Sequence, residues 1–180
     1  MENILTKYQK RVNQGSDINE HLPILKEYAE QCEHITEMGV RGVVSSYAFL
    51  SSNPKKMVSY DFDTHPNVKI LIEDAKNAGI DFTYIKADTG KIEIEPTDLL
   101  FLDTEHSYDQ VKKELELHSN KVKKYIIFHD TVTFGSKGQN GKRGILPAIE
   151  EWVIKSPHWV LKKDFKNNNG LQIYKNTLND

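Results

Sequence analysis

Five short β-prone runs, spaced by stretches of helical periodicity, constrain this chain more than any other feature. They are HITEMG (34–39), MVSYDF (57–62), DFTYIKA (81–87), TDLLFLD (97–103) and KKYIIFHD (123–130). Between them, Gly42 to Leu50 reads as a helix. HPNVKILIEDAKNAG follows, with Pro66 near its start, Val68, Leu71, Ile72 and Ala75 on one face, and Gly79 as terminator. Ser107 to His118 is a third helix, with Tyr108, Val111 and Leu115 facing inward. Strands alternating with helices predict an α/β fold built on a doubly wound, mostly parallel sheet. TDLLFLD is nearly all apolar, as a strand covered on both faces must be. Further on, GSKGQNGKRG (135–144) reads as a solvated loop and ILPAIEEWVIK as a helix. HWVLKKDF and LQIYKN, joined through NNNG, read as a closing antiparallel hairpin.

Ahead of the first strand, Asp17 followed by Glu20 suggests a helix start, and Ile18, Leu22, Leu25, Tyr28 and Ala29 recur on one face. The 180 residues are therefore expected to form one domain, with an N-terminal helical segment (1–33) and a core (34–176). A net charge of −2 with both signs mixed argues against wholesale nucleic-acid binding. Cys32 is the single cysteine, so neither an internal disulfide nor a thiolate metal site is expected. The start, MENILTKYQKRVNQ, is polar, and no apolar run approaches the roughly 20 residues that span a bilayer. A cytoplasmic setting, with no membrane partner, is the expectation.

Sheets of this kind bind ligands at the carboxyl ends of their strands. Here every one of the five strands ends in an acid: Glu37, Asp61, Asp88, Asp103 and Asp130. Gly39 and Gly42 stand where the first strand turns into a helix, which lets backbone approach a ligand. Glu37 beside them disfavours a phosphate and so argues against a nicotinamide-dependent oxidoreductase. Asp61 has the spacing from the glycine turn expected of a carboxylate that accepts from ribose hydroxyls, and Asp63 reads as a helix cap. Neighbouring parallel strands would bring Asp103 and Asp130 within about 5 Å, close enough to share a divalent cation. His129 could add a ligand, and His106, three residues past Asp103, could reach back as a base. Each residue also has a plainer reading: Asp103 and Thr104 as a cap, Glu105 as a first-turn acid, His106 as a surface histidine. The other histidines, His21, His34, His65, His118 and His158, have no acidic strand-end partner in the sequence.

Taken together, E-x-G at the first strand, acids ending the second to fourth, and the closing hairpin resemble class I S-adenosylmethionine-dependent methyltransferases. FLDTEHSYDQ followed by KYIIFHDT is similar to the small cephalosporin-hydroxylase-like and macrolide-sugar O-methyltransferase branch. The resemblance spans roughly residues 34 to 176, and implies a Rossmann-like methyltransferase fold. It implies a cofactor site at Glu37, Gly39, Gly42, Asp61 (ribose) and Asp88 (adenine), with S-adenosylmethionine as the methyl donor. It implies a Mg2+ or similar cation at Asp103, His129 and Asp130, and His106 as catalytic base. Arg41 and Val43 stand where the family's turn usually has glycine. The expected acceptor is a hydroxyl of a sugar or small metabolite. With little chain ahead of the core, its site is expected to be open or completed by a second copy in a homodimer. A non-catalytic domain and a hydroxylase using Asp103, His106 and His129 are the rival readings.

Overall fold

A computed structural model describes residues 2–178. The first five strands are β1 (His34–Met38), β2 (Lys56–Asp61), β3 (Asp81–Lys86), β4 (Thr97–Leu102) and β5 (Val122–His129). They run parallel, and β6 (Trp159–Phe165) and β7 (Leu171–Asn176) add an antiparallel pair, giving the order β3-β2-β1-β4-β5-β7-β6. Strand order reverses between β1 and β4, and it is at the carboxyl ends of such a switch point that sheets of this kind bind ligands. All six residues of β4 are buried. Leu99 and Phe101 belong to one core and Leu100 and Leu102 to the other, as the two-residue period of a central strand requires.

One face is covered by α1 (Ile4–Asn13), α2 (Leu22–Ala29), α3 (Val44–Ser51) and α4 (Val68–Asn77), through residues such as Leu25, Phe49 and Leu71. The other is covered by α5 (Tyr108–His118) and α6 (Leu146–Lys155), through Val111, Leu115, Ile149 and Trp152. Among the described residues no helix is long and apolar enough to cross a membrane.

Two departures from the sequence reading have physical causes. The helix expected from Asp17 begins at Leu22, behind a 3-10 turn (Asn19–His21), because Pro23 suits a first helical turn. Asp17 instead pairs with Arg41. The polar start also forms a helix, α1, whose N-cap Asn3 accepts from the Thr6 amide at 2.8 Å.

Candidate active site at the strand ends

The turn after β1 is tightly specified. Gly39 has φ +90°, and a Cβ there would lie 1.9 Å from the Asp103 carbonyl oxygen. Only glycine lets the ends of β1 and β4 approach this closely. Gly42 is different: a Cβ would meet nothing within 4 Å, and the left-handed backbone falls on Arg41 (φ 40°) and Val43 (φ 62°). These residues occupy strained conformations for side chains of their size. Asp61 helps to hold them, because its Oδ2 accepts from the Val40 and Arg41 amides at 2.7 and 2.8 Å. Its Oδ1 accepts from the Asp63 amide at 3.0 Å. Asp63 itself caps no helix; it is exposed and pairs with Lys86 at 3.0 Å.

Glu37 lies beneath the turn and is fully buried. Its carboxylate accepts from the hydroxyls of Ser45, Ser46 and Ser59 at 2.6, 2.8 and 2.7 Å. Burial pushes its pKa up and the three hydroxyls pull it back, leaving it at about 7. Placed so, Glu37 ties β1 to the start of α3 and to β2. Asp88, beyond β3, caps a short turn by accepting from the Gly90 amide at 3.0 Å, and it pairs with Lys91 at 2.8 Å.

The ends of β4 and β5 carry the densest chemistry. Leu102 pairs with Phe128 in register, so the next residues, Asp103 and His129, stand side by side. Asp130 follows with φ 60°. The Asp103, His129 and Asp130 side chains each offer a ligand atom, all within 4.8 Å of one another. His106 Nε2 lies 3.1 Å from Asp103 Oδ1 and 2.8 Å from Asp130 Oδ2. His129 Nδ1 lies 3.3 Å from Asp103 Oδ1 and 3.6 Å from Asp130 Oδ2. On its far side, His129 Nε2 meets the Asn168 carbonyl at 3.2 Å. A carbonyl can only accept, so Nε2 carries a proton and Nδ1 is the atom turned to the carboxylates.

Burial disfavours charge on both rings. The two carboxylates outweigh it, lifting His106 to about 9 and His129 to about 10. Burial likewise opposes ionisation of Asp103 and Asp130, but hydrogen bonds from both histidines hold each below its ordinary value. Asp130 Oδ1 is buried and has no partner among the described residues. A buried carboxylate oxygen without a donor is costly, and a cation would satisfy it. The donor set of two carboxylates and one imidazole therefore fits a Mg2+-like or Mn2+-like ion.

His106 is not on a helix. Ser107 is the cap of α5, its hydroxyl accepting from the Gln110 amide, so residues 103–107 form a loop. That loop is fixed by Phe134 and by the 135–144 segment that follows it, which reads as solvated in the sequence. Phe134 stacks on the His106 ring with centroids 4.6 Å apart and planes 9° from parallel. The Gln139 amide donates to the His106 carbonyl at 2.9 Å. A Cβ on Gly138 would come within 2.3 Å of the same oxygen. Glu105 precedes the Ser107 cap, so Asp109 is the first-turn acid of α5, and Glu105 pairs with Lys142 at 2.6 Å. The glycines of GSKGQNGKRG were the available signal: Gly135, Gly138 and Gly144 all stand where a Cβ would strike backbone. His21 also belongs here. It is buried edge-on to His129, with centroids 5.8 Å apart, and meets the Asn167 carbonyl at 3.0 Å.

No family model and no curated protein matches this chain. Solved structures do match its fold. A cofactor-bound structure of Rv0187 from MTB is 11% identical, covering 98% of this chain and 91% of that one, with a TM-score of 0.66. The O-methyltransferase from Bacillus cereus in complex with SAH is 12% identical over 97% and 91%, with a TM-score of 0.63. The 1,6-didemethyltoxoflavin-N1-methyltransferase of Burkholderia thailandensis, with S-adenosylhomocysteine bound, is 12% identical over 92% and 80%, at 0.64. At such identities the likeness establishes the architecture: this is the Rossmann-like methyltransferase fold.

Proposed function

We propose that this protein is an S-adenosylmethionine-dependent O-methyltransferase, assisted by a divalent cation and acting on a hydroxyl of a sugar or small metabolite. One observation carries the reading. On a methyltransferase fold, Asp103, His129 and Asp130 gather their ligand atoms within 4.8 Å at the strand ends, with His106 against both carboxylates. S-adenosylmethionine, when bound, supplies a methyl group on a positively charged sulfur, and a divalent cation supplies a Lewis acid that makes a hydroxyl more acidic.

The chain's own residues supply binding, orientation and proton removal. Gly39 lets the β1 turn pack against the end of β4 and so shapes the cofactor's turn, and Asp61 faces the ribose position. A carboxylate offers about four lone-pair sites. Three backbone amides occupy sites on Asp61, which leaves capacity for a ribose hydroxyl. Asp88 stands at the adenine side, and Gly42 flanks the same turn. Asp103, His129 and Asp130 would hold the cation. His106 Nε2 would take the acceptor's proton, its ring plane held by Phe134. Fixing acceptor and donor in line is the larger part of such catalysis.

Calorimetry tests this without knowing the acceptor. The wild-type protein is titrated with S-adenosylhomocysteine, with NAD and with Mn2+. Binding of S-adenosylhomocysteine but not NAD is expected, and Asp130→Asn should weaken Mn2+ by tenfold or more while sparing S-adenosylhomocysteine. A protein that binds neither nucleoside would return the chain to a non-catalytic role.

A further inference from the structure

Glu114 is a buried acid for which the proposed reaction has no use. It lies on α5 between Val111 and Leu115 and is wholly inaccessible. Among the described residues no cation is a hydrogen-bond partner of its carboxylate. Oε1 accepts from the Thr89 hydroxyl at 2.5 Å and from the Gln110 amide at 2.8 Å, and Oε2 accepts from the Thr104 hydroxyl at 2.9 Å. Gln110 also reaches the Thr89 hydroxyl at 3.1 Å, which ties the cluster together. Burial raises its pKa, the three donors only partly offset this, and nearby Asp88 adds repulsion. A leucine would fill an apolar helix face at lower cost, so stability alone is a poor reason for a carboxylate here.

What distinguishes Glu114 is where its two threonines lie. Thr104 sits in the 103–107 loop, between Asp103 and His106. Thr89 directly follows Asp88 on the β3–β4 connection. We propose that Glu114 is a positioning residue that sets these two loops against one another, placing the cation and proton-transfer groups relative to the adenine side of the cofactor crevice. The assignment deepens the methyl-transfer reading and rests on it. A carboxylate suits the task because its two oxygens diverge, so one rigid helix position can hold two separate loops. Groups behind a metal site commonly change its affinity 10- to 100-fold when removed.

The test uses the whole chain, with Mn2+ and S-adenosylhomocysteine as separate probes in calorimetry. Thr104→Val should weaken Mn2+ on the order of tenfold and leave S-adenosylhomocysteine within twofold. Thr89→Val should do the reverse. Glu114→Gln should weaken both, and Thr104→Ser, which keeps the hydroxyl, should restore Mn2+ affinity. The two near-isosteric threonine variants carry the test even if Glu114→Gln does not fold. If both valine variants weaken both probes alike, in step with a lower melting temperature, Glu114 only packs and the proposal is wrong. If the wild type binds both probes and the variants match it, the Glu114 assignment falls alone. If the wild type binds neither, the methyl-transfer reading falls and takes this inference with it.

Discussion

His106 shows how much of a site a single residue can reveal, and how much it hides. Its spacing from Asp103 was legible, because an imidazole three residues past an acidic strand end can fold back. Its contact with Asp130, at 2.8 Å, depended on β4 and β5 being neighbours, which the sequence left as a condition and the sheet order supplies. Phe134 was not legible: nothing local marks a phenylalanine after a turn as the plane on which a histidine rests. His106→Ala is expected to lower turnover by roughly 10²- to 10⁴-fold, the usual contribution of a general base. S-adenosylhomocysteine affinity should be unchanged, and undiminished turnover would remove His106 from the mechanism. Glu37 was legible as an acid but not as a support, since Ser45, Ser46 and Ser59 meet it only after folding. Its raised pKa, about 7 against an ordinary 4.5, has a definite sign. The stability this shift represents is fully present below 4.5 and is lost as pH rises through 7. Glu37→Gln should therefore match the wild type near pH 5. It should exceed it at pH 8 by roughly 1–3 kcal/mol, as amide and hydroxyls re-pair without charge. Thermal melts at the two pH values check this, and equal differences at both would mean that Glu37 titrates no higher in the folded chain than in the unfolded one.

At the scale of elements, the central strands declared themselves and the connections did not. β4 was readable because a strand buried on both faces must be apolar throughout. The closing hairpin was readable from its Asn-Gly step, and Gly170 does take φ +93°. α1 left a weaker trace, with Tyr8 its one buried residue, and a polar surface helix resembles a loop in composition. The 135–144 loop is exposed over most of its length, as expected, but its packing through Gly135, Gly138 and Gly144 was hidden, because a glycine that flexes and a glycine that permits close packing look the same in sequence. The β1–α3 turn gives a sharp test. In Gly39→Ala the new Cβ meets the Asp103 carbonyl at 1.9 Å, and the backbone must hold φ +90°. Steric overlap and left-handed strain together are expected to cost roughly 2–5 kcal/mol. Denaturant melts measure the loss. Gly42→Ala is the control, with open space at its Cβ, and should change stability by less than about 1 kcal/mol. Equal losses at both positions would show that the turn responds to side-chain bulk in general.

The whole molecule decides the charge state of its site. Asp103 comes from β4, His106 from the following loop, and His129 and Asp130 from the end of β5, while the β6–β7 turn supplies the Asn168 carbonyl behind His129. No one segment could hold two carboxylates and two imidazoles this close, and their mutual fields determine where protons reside. Without a cation, the carboxylates draw protons onto His106 and His129, which titrate at about 9 and about 10 instead of 6.5. The stability these histidines contribute is fully present below 6.5 and is lost as pH rises through 9 to 10. Asp103 and Asp130 are depressed, so their contribution is present above about 4 and is lost as pH falls below it. The metal-free protein should thus be most stable between about pH 5 and 8. A cation on these carboxylates would offset the negative charge that keeps protons on the two rings and would need an unprotonated Nδ1 on His129, so its binding must expel protons. Once the carboxylates are engaged, His106 loses the hydrogen bonds that raise it, and burial then favours the neutral ring that a base requires. Mn2+ titrated at pH 7.5 in buffers of different ionisation enthalpy should therefore release between one and two protons, and its affinity should climb from pH 7 to pH 9. A heat independent of buffer would show that the histidines hold no displaceable protons. His106 would then be neutral before the cation arrives.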